Sequence, residues 1–144
     1  MDKTTGVFKS IKKNTPWGHE ISWLAIHSIH GKILKILKGQ KTSLKYHTSK
    51  NEVLYVMSGR IMVTHADEAI HHYTNVYAEQ DILTPGDALS VPAMCIYRVE
   101  ALEDSEIIEI GNHSNSPVVR IEDEYGRPVK NFHRKIEVRK DGKS

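Results

Sequence analysis

Apolar residues along this chain occur in short runs that are separated by turn residues. The runs are Glu20–Ile29, Lys32–Lys38, Glu52–Met57, Arg60–His65, Ala88–Val91, Ile96–Glu100, Glu106–Ile110 and Val118–Ile121. Between them lie glycine and proline, which supply the positive φ and the preset first position that tight turns need. Many short runs with closely spaced turn signals predict a β-sandwich or a β-barrel.

The run Lys32–Lys38 is ambiguous, because its apolar residues would also fit one face of a helix. It is short, it lies between Gly31 and Gly39, and its isoleucines favour a strand, so we predict a strand. No stretch of about a dozen residues has a clear helical period. The predicted fold class is therefore all-β, a small antiparallel β-barrel or double-sheet jelly roll, in which Asp67–Asp81 forms a longer hairpin excursion.

Length and composition predict one folded domain. The 144 residues, 39% hydrophobic and 26% charged, are enough for one core and exclude a disordered chain. No stretch approaches the roughly 18 apolar residues of a membrane span, so we predict no association with a membrane. We expect a single domain over 1–144, with its core over 16–127 and a basic C-terminal extension over 128–144.

Localisation and nucleic-acid binding can also be inferred from residue usage. The polar segment Met1–Asn14 does not resemble a secretory signal, and the only cysteine, Cys95, excludes an internal disulfide. Both observations predict a cytoplasmic protein. A net charge of +2 is too small to indicate nucleic-acid binding. Although the C-terminal extension is basic, Phe132 is its only aromatic residue, so it lacks a stacking platform and we predict no nucleic-acid partner.

The segment that carries candidate chemistry begins at Gly39. Lys45, His47, Glu52 and Gly59 follow it in the pattern Gly-x5-Lys-x-His-x4-Glu-x6-Gly. Lys45 and His47 are two residues apart on a predicted strand and therefore share a face. Glu52 opens the next strand, so its side chain can point into the same space. This spacing predicts a pocket that is built around His47 and Glu52.

The spacing resembles the first motif of the cupin superfamily, with Lys45 at the position of the first histidine. Further motifs follow in an order that resembles the type II mannose-6-phosphate isomerase domain, which is also the C-terminal domain of bifunctional GDP-mannose pyrophosphorylases. These motifs are Pro16-Trp17-Gly18, residues 39–47, Glu52, Ser58-Gly59, Val91-Pro92-Ala93 with Tyr97-Arg98, Ile108-Glu109 and residues 120–127. The last of them, Arg-x-x-Asp-x-Tyr-Gly-Arg, is the most specific.

The resemblance implies a divalent metal held by Gln, His, Glu and a later His. Here Lys45 stands at the glutamine position and Tyr97 at the later histidine. The candidate ligands for Zn, Mn, Fe or Ni are therefore His47, Glu52 and Tyr97, the last as a tyrosinate. The alternative is that no cofactor binds, because the Lys45 ammonium would repel a cation. In that case the ammonium takes the place of the metal and neutralises Glu52.

The reaction implied by the resemblance interconverts an aldose phosphate and a ketose phosphate through an enediol. A group near the sugar must carry a proton between adjacent carbons, and the candidate catalytic residues are Lys45, Glu52 and Tyr97. The expected ligand is a sugar phosphate or a nucleotide sugar.

Candidate substrate-binding residues are Arg120, Arg127 and Lys35, because a guanidinium suits bidentate contact with phosphate. The alternative for the two arginines is an ion pair with a carboxylate of the same motif, namely Glu122, Asp123 or Glu124. We interpret most of the histidines other than His47 as surface or strand-packing residues, with His65 as a further candidate for the pocket.

Two other functions remain open. The first is a metal-free, non-catalytic cupin that acts as a binding or accessory module. The second is a different metal-dependent cupin enzyme, such as a lyase or dioxygenase, in which Tyr97 is the base. The resemblance also favours a homodimer, in which the strand-like segment Lys135–Arg139 pairs with the sheet edge of its partner.

Overall fold

The computed structural model describes residues 4–23, 28–67, 76–112, 117–130 and 136–139. These residues form twelve strands and no helix, which confirms the predicted all-β class. The strands are β1 (Ile11–Thr15), β2 (Gly18–Ser22), β3 (Ile29–Ile36), β4 (Leu44–His47), β5 (Glu52–Ser58), β6 (Ile61–Ala66), β7 (Val76–Leu83), β8 (Ala88–Val91), β9 (Ile96–Ala101), β10 (Ser105–Asn112), β11 (Val118–Glu122) and β12 (Ile136–Val138). In this part of the chain, no segment has the helical length and apolar character that a membrane span requires.

The strands form two six-stranded sheets that curl around a common core. The first sheet has the order β1-β2-β3-β10-β5-β8 and the second has the order β11-β4-β9-β6-β7-β12. Neighbouring strands are antiparallel except for β12, which runs parallel to β7. This arrangement confirms the predicted double-sheet jelly roll, with one parallel pair at an edge of the second sheet.

The main core lies between the sheets because side chains on each strand alternate between two faces. In β5, Leu54 and Val56 are buried whereas Val53, Tyr55 and Met57 are exposed. The buried residues of this core come from both sheets: Trp17, Leu34, Ile36, Leu54, Val56, Ile61, Val63, Leu83, Val91, Tyr97, Val99, Ala101 and Ile107.

A second apolar cluster lies on the opposite face of the second sheet. It includes Leu44 and Tyr46 of β4, and it packs against apolar side chains from both edge strands of that sheet. Because Leu44 and Tyr46 occupy this face, the alternating residues Lys45 and His47 point toward the interior of the barrel. The pattern of β4 therefore positions the two residues that the sequence singled out.

Several segments differ in detail from the sequence-based predictions. The run Lys32–Lys38 was correctly predicted as a strand, since β3 pairs with both β2 and β10, but β3 ends at Ile36. The run Glu20–Ile29 is not one strand, because β2 ends at Ser22 and β3 begins at Ile29. The excursion over Asp67–Asp81 is anchored by the antiparallel pair β6 and β7, while residues 68–75 lie outside the described residues.

The C-terminal strand pairs within its own chain. We predicted that Lys135–Arg139 would pair with a partner's sheet edge, but β12 pairs with β7 instead. Lys135 itself lies outside the described residues. β12 pairs within its own chain because Ile136 and Val138 pack against the second apolar cluster. Pairing within one chain also avoids the entropy cost of association. With β1 and β12, the sheets extend beyond the predicted core of 16–127.

We predict that Ile107→Ala lowers the free energy of unfolding by about 2–5 kcal/mol, because Ile107 is fully buried between the sheets. Urea unfolding followed by tryptophan fluorescence measures this loss. The matched control is Ile82→Ala on β7, where the side chain is 56% exposed and the expected loss is below about 1 kcal/mol. Equal losses for both variants would contradict the inward direction of Ile107.

Candidate functional site

A cavity of about 450 Å³ opens between the two sheets. Its lining residues come from the N-terminal segment, from strands of both sheets and from the closing motif: Lys13, Asn14, Thr15, Pro16, Trp17, Glu20, Lys32, Leu34, Thr42, Ser43, Lys45, His47, Lys50, Leu54, Tyr97, Val99, Glu109, Val118, Arg120 and Arg127. Glu52 lies in contact with this lining through Tyr97, His47 and Lys50. The structure thus brings together most of the candidate site residues.

Strand register explains how the second sheet presents its polar residues. Arg120 of β11 is paired with Lys45 of β4, and Lys45 is paired with Tyr97 of β9. Directly paired residues on adjacent strands point to the same face of a sheet. Arg120, Lys45 and Tyr97 therefore form a row across three strands on the wall of the cavity.

The carboxylate of Glu52 is the centre of the polar network in the barrel. Its side chain has no exposed surface. The hydroxyl of Tyr97 donates a hydrogen bond of 2.5 Å to its Oε1, and His47 Nε2 lies 3.4 Å from the same oxygen. Lys50 Nζ lies 3.2 Å from its Oε2. Three groups from three segments thus surround one buried negative charge.

A second buried carboxylate, that of Glu109, extends this network. Lys50 Nζ lies 3.2 Å from Glu109 Oε2, and His30 Nε2 lies 3.3 Å from the same oxygen. Gly111 permits His30 and the segment Asn51–Glu52 to lie close to β10, because a Cβ there would lie 2.6 Å from the carbonyl oxygen of Asn51 and 3.1 Å from His30 Cε1. Lys50 is therefore the link between the two carboxylates.

The network fixes the protonation of Glu52 and Tyr97. Burial by itself would raise the pKa of Glu52, but the hydrogen bond from His47, the charge of Lys50 and the hydrogen bond from Tyr97 hold it well below its usual range. For Tyr97, burial raises the pKa, and the charges of Glu52 and Glu109 raise it further. Glu52 is therefore an ionised acceptor and Tyr97 a neutral donor.

Lys45 occupies a different position from the one that the sequence suggested. Its Nζ lies 4.5 Å from the centre of the Tyr97 ring, in a cation–π contact. Burial lowers the pKa of Lys45 to about 8, against the opposing effects of Glu52 and Glu109. The ammonium at ion-pair distance from Glu52 is that of Lys50, because the register of β4 places Lys45 beside Tyr97.

The ligand set implied by the resemblance does not fit a divalent metal. The Tyr97 hydroxyl donates its proton to Glu52 and His47 Nε2 is directed at the same oxygen, so the donor atoms of the three candidate ligands are occupied by one another. The described residues do contain two groups whose nitrogen and oxygen atoms could hold a metal ion, the atoms of each lying within 4.8 Å of one another. These groups are His30, Glu52 and Glu109, and His65, Glu79 and Asp81. In the first group, Lys50 lies against both carboxylates.

The arginines of the closing motif have different partners. Arg127 forms a salt bridge with Asp123 at 2.7 Å, as the ion-pair alternative predicted. Arg98 pairs with Glu122 at 3.2 Å. Arg120 lines the cavity, and its buried Nε has no hydrogen-bond partner among the described residues. Among the two arginines that line the cavity, Arg120 is therefore the one with an unsatisfied guanidinium nitrogen.

The closing motif is a clasp that is organised by Asp123. Its Oδ2 accepts hydrogen bonds from the backbone N–H groups of Tyr125 and Arg127, and its Oδ1 accepts from the Arg127 guanidinium. Tyr125 then donates a hydrogen bond of 2.8 Å from its hydroxyl to Gln40, which follows Gly39 of the first motif. The clasp therefore joins the first motif to the closing motif and holds Arg127 at the cavity.

Lys35 does not line the cavity. It alternates on β3 with the buried residues Leu34 and Ile36, so its side chain lies on the opposite face of the sheet. Lys32 lines the cavity instead. The alternation of β3 would have identified Lys32, had the inward face of this strand been known.

Sequence reasoning missed Lys50, Glu109 and His30 as parts of the site. Glu109 carried a signal, since it is an acidic residue within the otherwise apolar run that forms β10. Lys50 lies in a turn and His30 lies near a strand end, where no periodic pattern indicates the direction of the side chain. His65, another candidate for the pocket, bonds to Asp81 at 2.8 Å and is not part of the cavity lining.

Comparisons with known proteins agree with this fold. A family model described as Cupin matches residues 34–123. The structure of KdgF from Halomonas sp. aligns with this chain at a TM-score of 0.63 and 20% sequence identity. The alignment covers 77% of this chain and 97% of KdgF. Oxalate decarboxylase from Bacillus subtilis, in a structure at pH 4.6, aligns with this chain at a TM-score of 0.65 and 16% sequence identity. The alignment covers 83% of this chain and 34% of the decarboxylase.

The capsular polysaccharide assembling protein CapF from Staphylococcus aureus is also similar, with a TM-score of 0.58 and 13% identity over 74% of this chain and 29% of its own. This chain therefore spans about a third of the length of the decarboxylase and CapF. Mn(II) centres are described for the Bacillus subtilis decarboxylase. No match was found among curated proteins. At these identities the structural likeness establishes the fold.

We predict that the clasp contributes a pH-dependent stability. Burial opposes ionisation of Asp123, but hydrogen bonds from Arg127 and from two backbone N–H groups lower its pKa from 3.8 to about 2. A lowered pKa means that ionised Asp123 stabilises the fold above about pH 4, and that this contribution is lost as the pH falls toward 2.

Asp123→Asn should therefore lower the free energy of unfolding by about 1–2 kcal/mol at pH 7, because the variant removes a charge that is hydrogen-bonded to Arg127 and to two backbone N–H groups, and by much less near pH 2. Urea unfolding at both pH values measures the difference. The control is Glu124→Gln, whose carboxylate is exposed and pairs with Lys41. A loss for Asp123→Asn that is the same at both pH values would contradict the role of its charge.

Proposed function

This chain belongs to the cupin family, and on that premise we propose that its barrel cavity binds a sugar phosphate and interconverts aldose and ketose forms. The family resemblance of the motifs suggests mannose 6-phosphate and fructose 6-phosphate as the pair, with a nucleotide sugar as a related ligand. The observation that carries the proposal is Arg120, whose buried Nε lacks a partner among the described residues and whose side chain lines the cavity.

The charge of the cavity supports an anionic ligand. Six cationic side chains line it, against the carboxylates of Glu20 and Glu109 in the lining and those of Glu52 and Asp123, which contact Lys50 and Arg127 from behind it. The cationic residues are Lys13, Lys32, Lys45, Lys50, Arg120 and Arg127. Such an excess of positive charge, focused by an apolar wall, attracts anions and strengthens their binding.

A phosphate on Arg120 would also lie near Lys45, its neighbour on the adjacent strand. The planar guanidinium suits bidentate contact with phosphate oxygens. Arg127 is held by Asp123, so it adds charge while keeping a fixed position. With the phosphate there, the sugar would extend along the row toward Tyr97.

Proton transfer is the chemical requirement of this reaction. Among the three candidates, Glu52 is engaged by Tyr97, His47 and Lys50, and the Tyr97 hydroxyl is committed to Glu52. Lys45 lies on the cavity wall, and burial lowers its pKa to about 8, so the neutral amine is accessible near neutral pH. We assign to this amine the removal of the proton from one carbon, which makes it an ammonium, and the return of the proton to the adjacent carbon. The surrounding cationic side chains would stabilise the negative charge that develops on the enediol oxygens.

A non-catalytic binding module is the second candidate. It is favoured by the saturation of Glu52 and Glu109, whose charges are met by Lys50 within the protein. Such a module would be stabilised by its ligand without turnover. A different cupin enzyme, a lyase or dioxygenase, would instead require a metal at one of the two candidate ligand groups.

We expect Arg120→Gln to lower kcat/KM for mannose 6-phosphate by at least about ten-fold, mainly through KM, because a charge-assisted phosphate contact is lost. A coupled assay of fructose 6-phosphate formation measures this, and thermal shift with mannose 6-phosphate, mannose and inorganic phosphate reports binding separately. The matched control is Arg98→Gln, which removes a guanidinium that pairs with Glu122.

The outcomes separate the candidates. Turnover that depends on Arg120 supports the isomerase, whereas a thermal shift without turnover supports the binding module. Absence of both, with or without added Mn, Fe, Zn or Ni, would eliminate sugar-phosphate chemistry for this cavity.

A homodimer also remains a prediction. The outer face of the first sheet carries the exposed side chains of Val53, Tyr55 and Met57 on β5 beside Ile110 on β10. This apolar patch suits a second copy of the chain. Light scattering should give twice the monomer mass for the wild type and for Tyr77→Glu, a control on β7, and the monomer mass for Tyr55→Glu. A monomeric wild type would contradict it.

A further inference from the structure

We infer that Lys50 is a built-in cation that occupies the place of a divalent metal between Glu52 and Glu109. This inference concerns the cofactor requirement of the protein and does not depend on which sugar the cavity binds. It rests on the position of one ammonium group within a set of metal-type donors.

The donor set is the one that a divalent ion would use. One nitrogen of His30 and one oxygen each from Glu52 and Glu109 lie within 4.8 Å of one another. Lys50 Nζ lies 3.2 Å from both Glu52 Oε2 and Glu109 Oε2. Glu52 Oε2 has no well-directed hydrogen bond among the described residues, and its ionic partner is the Lys50 ammonium. The ammonium therefore sits where an ion would contact both carboxylates.

The position of Lys50 is held by its turn. The backbone N–H of the next residue, Asn51, donates a hydrogen bond of 2.6 Å to Asn112 Oδ1, and its carbonyl accepts from the Asn112 N–H. The Asn51 side chain also accepts a hydrogen bond of 2.8 Å from the N–H of Ala93. Because the turn is fixed to two other segments and the Lys50 side chain is only 12% exposed, the ammonium is directed inward.

The charges of the site are balanced without a metal. Glu52 and Glu109 carry two negative charges, and Lys50 and Lys45 supply two positive charges beside them. A divalent cation added to this set would leave an excess of positive charge in a buried site, which is unfavourable. Without Lys50, the two carboxylates and His30 would instead be a site of unmet negative charge with oxygen and nitrogen donors.

The test uses Mn²⁺ or Zn²⁺ alone as the probe. The protein is dialysed against EDTA, exposed to excess metal and desalted, and the metal per chain is measured by mass spectrometry. Mn²⁺ is also followed by its EPR spectrum. We expect no stoichiometric metal in the wild type and about one ion per chain in Lys50→Ala, because the variant exposes three ligands to the ion.

Two variants act as matched controls. Lys32→Ala removes another lysine that lines the cavity, one that lies 3.5 Å from Glu20, and it should behave as the wild type. Adding Glu109→Gln to Lys50→Ala should abolish the gained metal, since one carboxylate ligand is lost. Circular dichroism and thermal unfolding establish that each variant is folded.

Several outcomes would overturn the inference. These are stoichiometric Mn²⁺ or Zn²⁺ in the wild type, a folded Lys50→Ala that gains no metal, or an equal gain in Lys32→Ala. If Lys50→Ala does not fold, the metal content of the wild type is compared with that of Lys50→Arg, whose guanidinium can still bridge the carboxylates. Metal binding by either would contradict the inference, and its absence from both would support it.

Discussion

The buried charge of Glu52 is the constraint on which the interior of this barrel depends. A carboxylate without exposed surface is unfavourable unless it is hydrogen-bonded and paired with a cation. The protein meets this requirement with a phenol, an imidazole and an ammonium, from Tyr97, His47 and Lys50. Because Lys50 also contacts Glu109, the same cation bridges to a second buried acid on the neighbouring strand.

The scaffold around this network consists of strand register and the clasp of the closing motif. The pairing of β11, β4 and β9 places Arg120, Lys45 and Tyr97 in one row, so that a cationic wall continues from the buried acid toward the clasp. Asp123 holds Arg127 in place, while the Arg120 Nε has no partner among the described residues. The two arginines of one motif thus differ, since one is paired within the clasp and the other lines the cavity with an unpaired Nε.

The two proposals are independent in their physical basis. A cavity with excess cationic side chains would bind an anionic sugar whether or not an ion lies between Glu52 and Glu109. The position of Lys50 instead bears on how charge is stabilised inside the cavity. If Lys50 replaces a metal, a substrate oxygen would meet N–H donors in place of a Lewis acid, which limits the chemistry to proton transfer and hydrogen bonding.

The sequence alone determined the all-β class, the short strands, and the shared inward face of Lys45 and His47 beside Glu52, because turn residues and two-residue periodicity are local properties of the chain. Only the tertiary structure decided that Lys50, and not Lys45, contacts Glu52, and that Glu109 lies within the same network. Periodicity gives the face of a side chain on its own strand. It does not give the register between strands or the direction of a turn residue, and these decide which charges meet.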